Sequence, residues 1–251
     1  MQITPALGID IGGSGIKGAI VDIAAGDFLT DRIRIPTPAK STPKNVAAVV
    51  AEIVDSFDRQ LADGPIGITI PALVTHGITR SAANIDSSWV DAPAADIFSQ
   101  RLGRPVVLVN DADAAGFAEV RFGAAAGEQG LVLMTTLGTG IGTALIYRGV
   151  LIPNTELGHI EIDGKDAEKR AAASAKATEK LSYARYIPRL QRYYETLEKL
   201  FSPDLFVVGG GVSKESDKFL PMLKLRAPIV PAALRNRAGI IGAAVLASEE
   251  R

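Results

Sequence analysis

The chain has 251 residues, 47% hydrophobic and 22% charged, a globular composition that excludes disorder, collagen and coiled coil. A formal charge of −1 gives no basic excess for nucleic acid or an anionic membrane, and no apolar run reaches the roughly 18 residues of a membrane span. Cysteine is absent, so disulfides, thiolate zinc sites, iron–sulfur ligation and a cysteine nucleophile are excluded.

The opening MQITPALGID lacks the pattern of a secretory leader, so a cytoplasmic protein is expected. In chain order, Ala6-Leu7-Gly8-Ile9 reads as a buried strand and Gly12-Gly13-Ser14-Gly15 as a turn. Residues 16–23 resume a β-prone apolar pattern, which makes the turn a hairpin. Gly13-x-Gly15-x-x-Gly18 matches the dinucleotide fingerprint in letters, but that fingerprint needs a helix after the glycines, and the hairpin argues against it. An amphipathic helix is expected over 43–61, strands over 65–70 and 105–109, and a helix over 113–122. A second strand–turn–strand unit follows: Leu131-Val132-Leu133-Met134, then Gly138-Thr139-Gly140-Ile141-Gly142, then residues 143–147. Residues 165–199 are charged and helical by propensity, with Pro188 interrupting. Leu205-Phe206-Val207-Val208 is a third buried strand, running into Gly209-Gly210-Gly211. A short helix over 213–223 and a helix rich in small residues over 235–248 close the chain.

Backbone without Cβ atoms can approach a phosphate closely, and successive N–H groups form an anion-binding concavity; glycine also serves tight turns as such. Two hairpins of this kind are more informative than one. Asp10 sits at the lip of the first, and Thr135, Thr136 and Thr139 line the second. A carboxylate beside glycines can hold hydrated Mg²⁺ against phosphate oxygens, whereas a P-loop is excluded because no G-x-x-x-x-G-K-[ST] occurs. Asn110 and Asp111 end a predicted strand, where ligands of open α/β sheets sit. An aspartate there serves as a general base or as a helix N-cap; with two present, Asp111 suits the chemistry and Asp113 the cap. Glu156-Leu157-Gly158-His159, with Glu161 and Glu168 beyond, offers the polar wall that binds several hydroxyls, or a surface histidine with no such role. The chain has too few nitrogen and sulfur donors for an evident metal site, and no G-x-S-x-G for a hydrolase. Asn84 offers a donor and an acceptor to a vicinal diol, and Trp89 in the same loop reads as a core anchor.

In combination these motifs resemble the sugar kinases of the ROK family. The resemblance rests on residues 7–13, Asn110-Asp111, residues 137–142, Glu156-x-Gly-His159 and Gly209-Gly210-Gly211-Val212, in that order over nearly the whole chain. It implies a two-lobed α/β protein of the actin-like ATPase (ribonuclease H-like) fold with a cleft between lobes 1–112 plus 236–251 and 113–235. It implies Asp111 as catalytic base, with Asn84, Asn110, Glu156, His159 and Glu168 on the sugar. The donor would lie on Asp10, Gly12, Gly13, Ser14, Gly15, Lys17, Thr139, Gly140, Gly210 and Gly211, with Mg²⁺ held through water by Asp10. Residues 82–86, 110–116, 153–168 and 200–206 are similar to the polyphosphate glucokinases of that family. The resemblance thus implies phosphoryl transfer from polyphosphate, and also ATP, to glucose, by a cytoplasmic homodimer without nucleic-acid or membrane partners. An ATP-only glucokinase and a non-catalytic sugar-sensing module are the alternatives. Two departures stand out. The Cys-rich zinc loop of most members is missing, so Glu168 takes the place of its closing acid, His159 is expected to be a sugar ligand only, and no zinc is expected. Ile70-Pro71-Ala72 replaces the usual Pro-Gly. With the first strand expected within the first few residues, no helix-turn-helix of the family's repressors is expected. Lys17, Lys165, Lys169, Arg170, Arg235 and Arg237 are candidates for a track along the distal polyphosphate chain.

Overall fold

The structure, a computed structural model, describes residues 5–82 and 85–250. The first apolar run forms β1 (Pro5–Gly12) and returns as antiparallel β2 (Gly15–Asp22), with Gly12 opposite Gly15 across a two-residue turn. β3 (Asp27–Phe28) and β4 (Ile33–Ile35) both pair with β2. α1 (Pro43–Ser56) buries Val46, Val50, Ile53 and Val54, one stripe at helical spacing, and Pro43 presets its first turn. A break at Phe57 separates it from α2 (Asp58–Leu61). β5 (Ile66–Ile70) is buried at every position, as expected of a central parallel strand. A small hairpin of β6 (Val74–Thr75) and β7 (Ile78–Thr79) precedes α3 (Ala94–Leu102), β8 (Val107–Asn110) and α4 (Asp111–Phe122). The sheet order is β3-β2-β1-β5-β8, with β1, β5 and β8 parallel.

The second sheet has a similar plan. β9 (Leu131–Leu137), β10 (Ile141–Tyr147) and β11 (Val150–Ile152) form an antiparallel meander. Next come the hairpin of β12 (Glu161–Ile162) and β13 (Lys165–Asp166), then α5 (Glu168–Ala171), α6 (Ala173–Thr178) and α7 (Tyr183–Phe201). β14 (Leu205–Gly209) and β15 (Ile229–Pro231) run parallel to β9, in the order β11-β10-β9-β14-β15. α8 (Ala238–Glu249) ends the chain. Contacts divide the chain into two units, Met1–Ala118 with Arg237–Arg251, and Glu119–Asn236. The mixed α/β architecture is that expected of the actin-like ATPase fold.

α8 is buried on all sides, from Ala238 and Ile240 to Val245 and Ala247. Its backbone lies directly on the sheet: a Cβ at Gly8 would stand 1.9 Å from the Ile240 carbonyl oxygen, and one at Gly67 1.9 Å from that of Ala243. Gly242 makes the same approach to Ala114 of α4. In the second unit the buried Glu119 carboxylate accepts from the N–H groups of Ala124, Ala233 and Leu234 at 2.7, 3.0 and 2.7 Å.

Four expectations need correction. Pro188 does not interrupt the helix: α7 runs through it, because buried Tyr186, Leu190, Tyr193, Tyr194 and Leu197 hold the helix on its sheet despite one missing donor. Residues 165–182 are a hairpin and two short helices rather than one long helix. The helix over 213–223 is a pair of 3₁₀ segments, Gly211–Lys218 and Leu220–Met222. Asp113 is not the cap of α4. Asn110 is, its Oδ1 accepting from Ala112 N at 2.8 Å and Asp113 N at 3.1 Å, so the helix starts at Asp111. Trp89 is a core anchor, fully buried, stacked on Phe98 and donating from Nε1 to Ser41 O at 2.7 Å.

Gly67→Ala is expected to destabilise the protein by about 3 kcal/mol, the upper end of overpacking costs, because both clashing partners are backbone. Gly138→Ala, whose Cβ would meet nothing within 4 Å, should stay within about 0.5 kcal/mol. Urea melts of the two variants check the contrast, and equal losses would contradict it.

Candidate active site

In the first unit the parallel strands β1, β5 and β8 bring their C-terminal ends to one edge. Asp10 lies opposite Thr69, Thr69 opposite Val109, and Ile70 opposite Asn110. Asp10 and the start of α4 are therefore two strand spacings apart, roughly 10 Å. Asp10 Oδ2 accepts from Lys17 Nζ at 2.9 Å and Oδ1 from Thr69 Oγ1 at 3.1 Å. The first turn of α8 also faces it: a Cβ at Gly239 would lie 3.6 Å from Oδ1, so helix N–H groups favour the carboxylate. Each oxygen keeps acceptor capacity for a water, which fits an outer-sphere Mg²⁺; direct ligation would compete with Lys17.

The turn between β1 and β2 carries a cation that the sequence reading missed. Arg34 Nη2 donates to Ser14 O at 2.8 Å, and a Cβ at Gly15 would run into the guanidinium at 2.7 Å. Arg34 is the cross-strand partner of Lys17, so two cations stand side by side at this turn. The pairing of β2 with β4 puts it there, and nothing in the local spacing announces it. Thr37 Oγ1 donates to Gly12 O at 2.5 Å. Asn110 Nδ2 donates to Ala72 O at 3.1 Å, so the Pro71-Ala72 departure leaves the turn anchored to the strand end. One amide hydrogen of Asn110 remains available to a ligand. Asp111 begins α4 directly after β8, and its Oδ1 accepts from Ala112 N at 2.9 Å.

In the second unit the turn between β9 and β10 is held from outside. Ser174 Oγ donates to Thr139 O at 2.5 Å, Ser174 N to Gly138 O at 3.0 Å, and Ile141 N donates to Glu168 Oε2 at 3.2 Å. A Cβ at Gly140 would lie 2.5 Å from that same Oε2, so the glycine makes room for Glu168. Gly210, at φ +81°, presses on the backbone of Leu137, which sets the third glycine cluster against the second. Cβ atoms at Gly138 and Gly211 would meet nothing within 4 Å, leaving bare backbone beside open space.

Glu156, His159 and Glu168 come together as expected, with Asp166 added. Asp163 and Gly164, at φ +54° and +73°, form the two-residue turn of the β12–β13 hairpin, a pairing that places Asp166 beside His159. Asp166 Oδ2 lies 3.0 Å from His159 Nδ1, and its Oδ1 accepts from Glu168 N at 3.1 Å. His159, Asp166 and Glu168 hold donor atoms within 4.8 Å of one another, a closer grouping than the donor count of the sequence suggests. The hydrogen bond to Asp166 pushes the His159 imidazole above its ordinary value; partial burial opposes this, and the Glu168, Asp166 and Glu156 charges add to it. Burial pushes the Glu156 carboxyl up, His159 pulls it back and Glu168 pushes it further. Asn84 lies outside the described residues. Of the candidate cations, Lys17 closes on Asp10 and Arg237 on Asp27, whereas Lys165, Lys169 and Arg170 gather at one cavity.

Asp166→Asn should bring the His159 titration back toward 6.5, followed by imidazole NMR. Because the folded value is raised, the stabilisation from this pair is present below 6.5 and is lost as pH rises through the folded value. An unchanged midpoint in the variant would remove Asp166 as its cause.

A family model described as the ROK family matches residues 6–174. Polyphosphate glucokinase of Mycobacterium tuberculosis (strain CDC 1551 / Oshkosh) is 50% identical over 239 residues, 95% of this chain and 89% of that protein. The structure of an inorganic polyphosphate/ATP-glucomannokinase from Arthrobacter sp. strain KM superposes with a TM-score of 0.94 at 52% identity, covering 99% of this chain and 100% of that one. A ROK family glucokinase from Streptomyces griseus, solved with glucose and AMPPNP, gives a TM-score of 0.79 at 26% identity, over 98% and 99% of the two chains. The match of the family model across most of the chain, on the same hairpins and strand end described above, places this chain in the ROK family.

Proposed function

We propose that this chain transfers a phosphoryl group from inorganic polyphosphate, and from ATP, to the 6-hydroxyl of glucose. The observation that carries the reading is Asp111 at the C-terminal end of β8, on the sheet edge that also holds Asp10. Half-identity to a polyphosphate glucokinase over 95% of the chain supports the substrates. Asp111 takes the hydroxyl proton as the sugar oxygen bonds to phosphorus, and the bridging P–O bond breaks toward the shortened polyphosphate or ADP. Asn110 presents its remaining amide hydrogen to the sugar. Glu156, His159 and Glu168 offer acceptors and a donor to the other hydroxyls, and Asp166 fixes the ring of His159 through Nδ1. Lys17 supplies positive charge beside the donor, on the turn that Gly12, Gly13, Ser14 and Gly15 leave open to phosphate oxygens, and Arg34 adds to it. Thr139, Gly140, Gly210 and Gly211 belong to the donor surface of the second unit. Mg²⁺, held through water by Asp10, would neutralise charge on the phosphates. Positioning and electrostatics supply most of the rate in such reactions.

We further infer a cytoplasmic homodimer, working where ATP is held, that takes small molecules rather than nucleic acid or membrane. Among the described residues no helix is long and apolar enough to cross a membrane. Tyr147, Val150 and Ile152 are exposed on and beside the edge strand β11, an apolar patch for a second copy to cover. We also infer that no zinc is bound, since the chain has no cysteine to build a thiolate zinc loop.

Asp111→Asn should keep glucose affinity within a few-fold and lower kcat by about 10²–10⁴, the usual worth of a general base. Coupled assays of glucose 6-phosphate with each donor test this. Turnover above a third of wild type would remove Asp111 from the chemistry. Turnover with ATP alone would favour the ATP-only kinase, and glucose binding without turnover the sensing module.

Purified protein should lose activity in EDTA and regain it with Mg²⁺, and elemental analysis should find no stoichiometric zinc. One zinc per chain would instead assign the cluster of His159, Asp166 and Glu168 to that metal.

A further inference from the structure

In the second unit an open cavity of about 560 Å³ is lined by Lys165, Asp166, Lys169, Arg170, Glu179 and Arg189, with Gly164 at its rim. Its two carboxylates are already engaged. Glu179 takes a bidentate pair from Arg189 at 2.7 and 2.6 Å, and Asp166 is bound to His159. Asp163, which feels the Arg170 charge, is closed by Arg192 at 3.1 and 2.7 Å. Lys165, Lys169 and Arg170 are left around one polar space without an ion pair among the described residues. The lining carries four cations, with Arg189, against two carboxylates, so positive charge is in excess and an anion relieves the repulsion among the cations. The cavity also adjoins the turn between β9 and β10. Lys169 and Arg170 follow Glu168 directly, and Glu168 accepts from the turn between β9 and β10.

Resting on the reading of polyphosphate as donor, we propose that this cavity is a subsite for the distal part of a long polyphosphate chain, whose terminal phosphates sit at the glycine turns. A long linear polyanion with about one charge per phosphate has distal phosphates to place on such a surface, and a triphosphate has few.

The test compares wild type with the Lys165→Gln/Lys169→Gln/Arg170→Gln triple variant. Binding of fluorescent long-chain polyphosphate and of tripolyphosphate is measured by anisotropy across about 50–300 mM KCl, alongside KM for each donor. For the long chain, the variant should lose affinity at least five-fold more than for tripolyphosphate. The slope of log Kd against log[KCl] should become shallower by about 2, at roughly 0.7 per neutralised charge on a single-stranded polyanion. Equal losses for both ligands, or an unchanged salt slope, would overturn the subsite and leave three solvated surface charges. Wild-type protein that binds the long chain through these residues but transfers no phosphoryl group from it would leave the subsite standing and overturn the donor reading instead.

Discussion

At Gly8 and Gly67 no side chain separates helix α8 from strands β1 and β5. A carbonyl oxygen of the helix fills the place a Cβ would take at each strand glycine. At Gly242 the helix receives α4 in the same way, through the Ala114 carbonyl. Asp10 lies two residues beyond Gly8 on β1, and Asp111 opens the helix that meets Gly242. The two carboxylates assigned to the chemistry are thus set by backbone contacts that admit almost no adjustment. Contacts of this kind transmit misplacement, and positional errors near an ångström are costly in phosphoryl transfer.

The second unit depends on a different device, a chain of polar contacts. The turn between β9 and β10 donates to Glu168, the N–H of Glu168 donates to Asp166, and Asp166 holds His159. The residues proposed to hold the sugar are tied in this way to a glycine turn through one hairpin, and the hairpin is set by the turn at Asp163 and Gly164. Glu119 works to the same end elsewhere in the unit. Its buried carboxylate satisfies three backbone N–H groups and joins the end of α4 to residues 233–234.

What was legible in the sequence follows from the range of the forces involved. Strands ending in glycine clusters are local patterns, and both hairpins formed where those patterns put them. The buried stripe of α7 is also local, at i, i+4, i+7, i+8 and i+11 from Tyr186. It is hidden because tyrosine and the intervening charges make the segment read as polar, and because Pro188 signals a break. The cap of α4 was misassigned by position alone: Asn110 reaches forward to two N–H groups, so the helix begins two residues before the one chosen from propensity. Arg34 and Glu119 act across strand pairings or more than a hundred residues of chain, and spacing in sequence carries no trace of either contact.

The two glycine hairpins, alike in sequence and in their place in each sheet, are finished with opposite charges. Arg34 lies against Gly15 and takes only a carbonyl, leaving the N–H groups of that turn and adding a cation beside Lys17. Glu168 lies against Gly140 and takes the Ile141 N–H, which lowers the capacity of the second turn for an anion and places a carboxylate there. Glycine at position 140 is therefore accounted for by the acid it accommodates, whereas the first turn stays open and positive. A phosphate placed by electrostatics alone favours the first turn, and a hydroxyl-bearing ligand in need of acceptors favours Glu168. The same backbone motif is given a cation in one unit and a carboxylate in the other by a single long side chain in each.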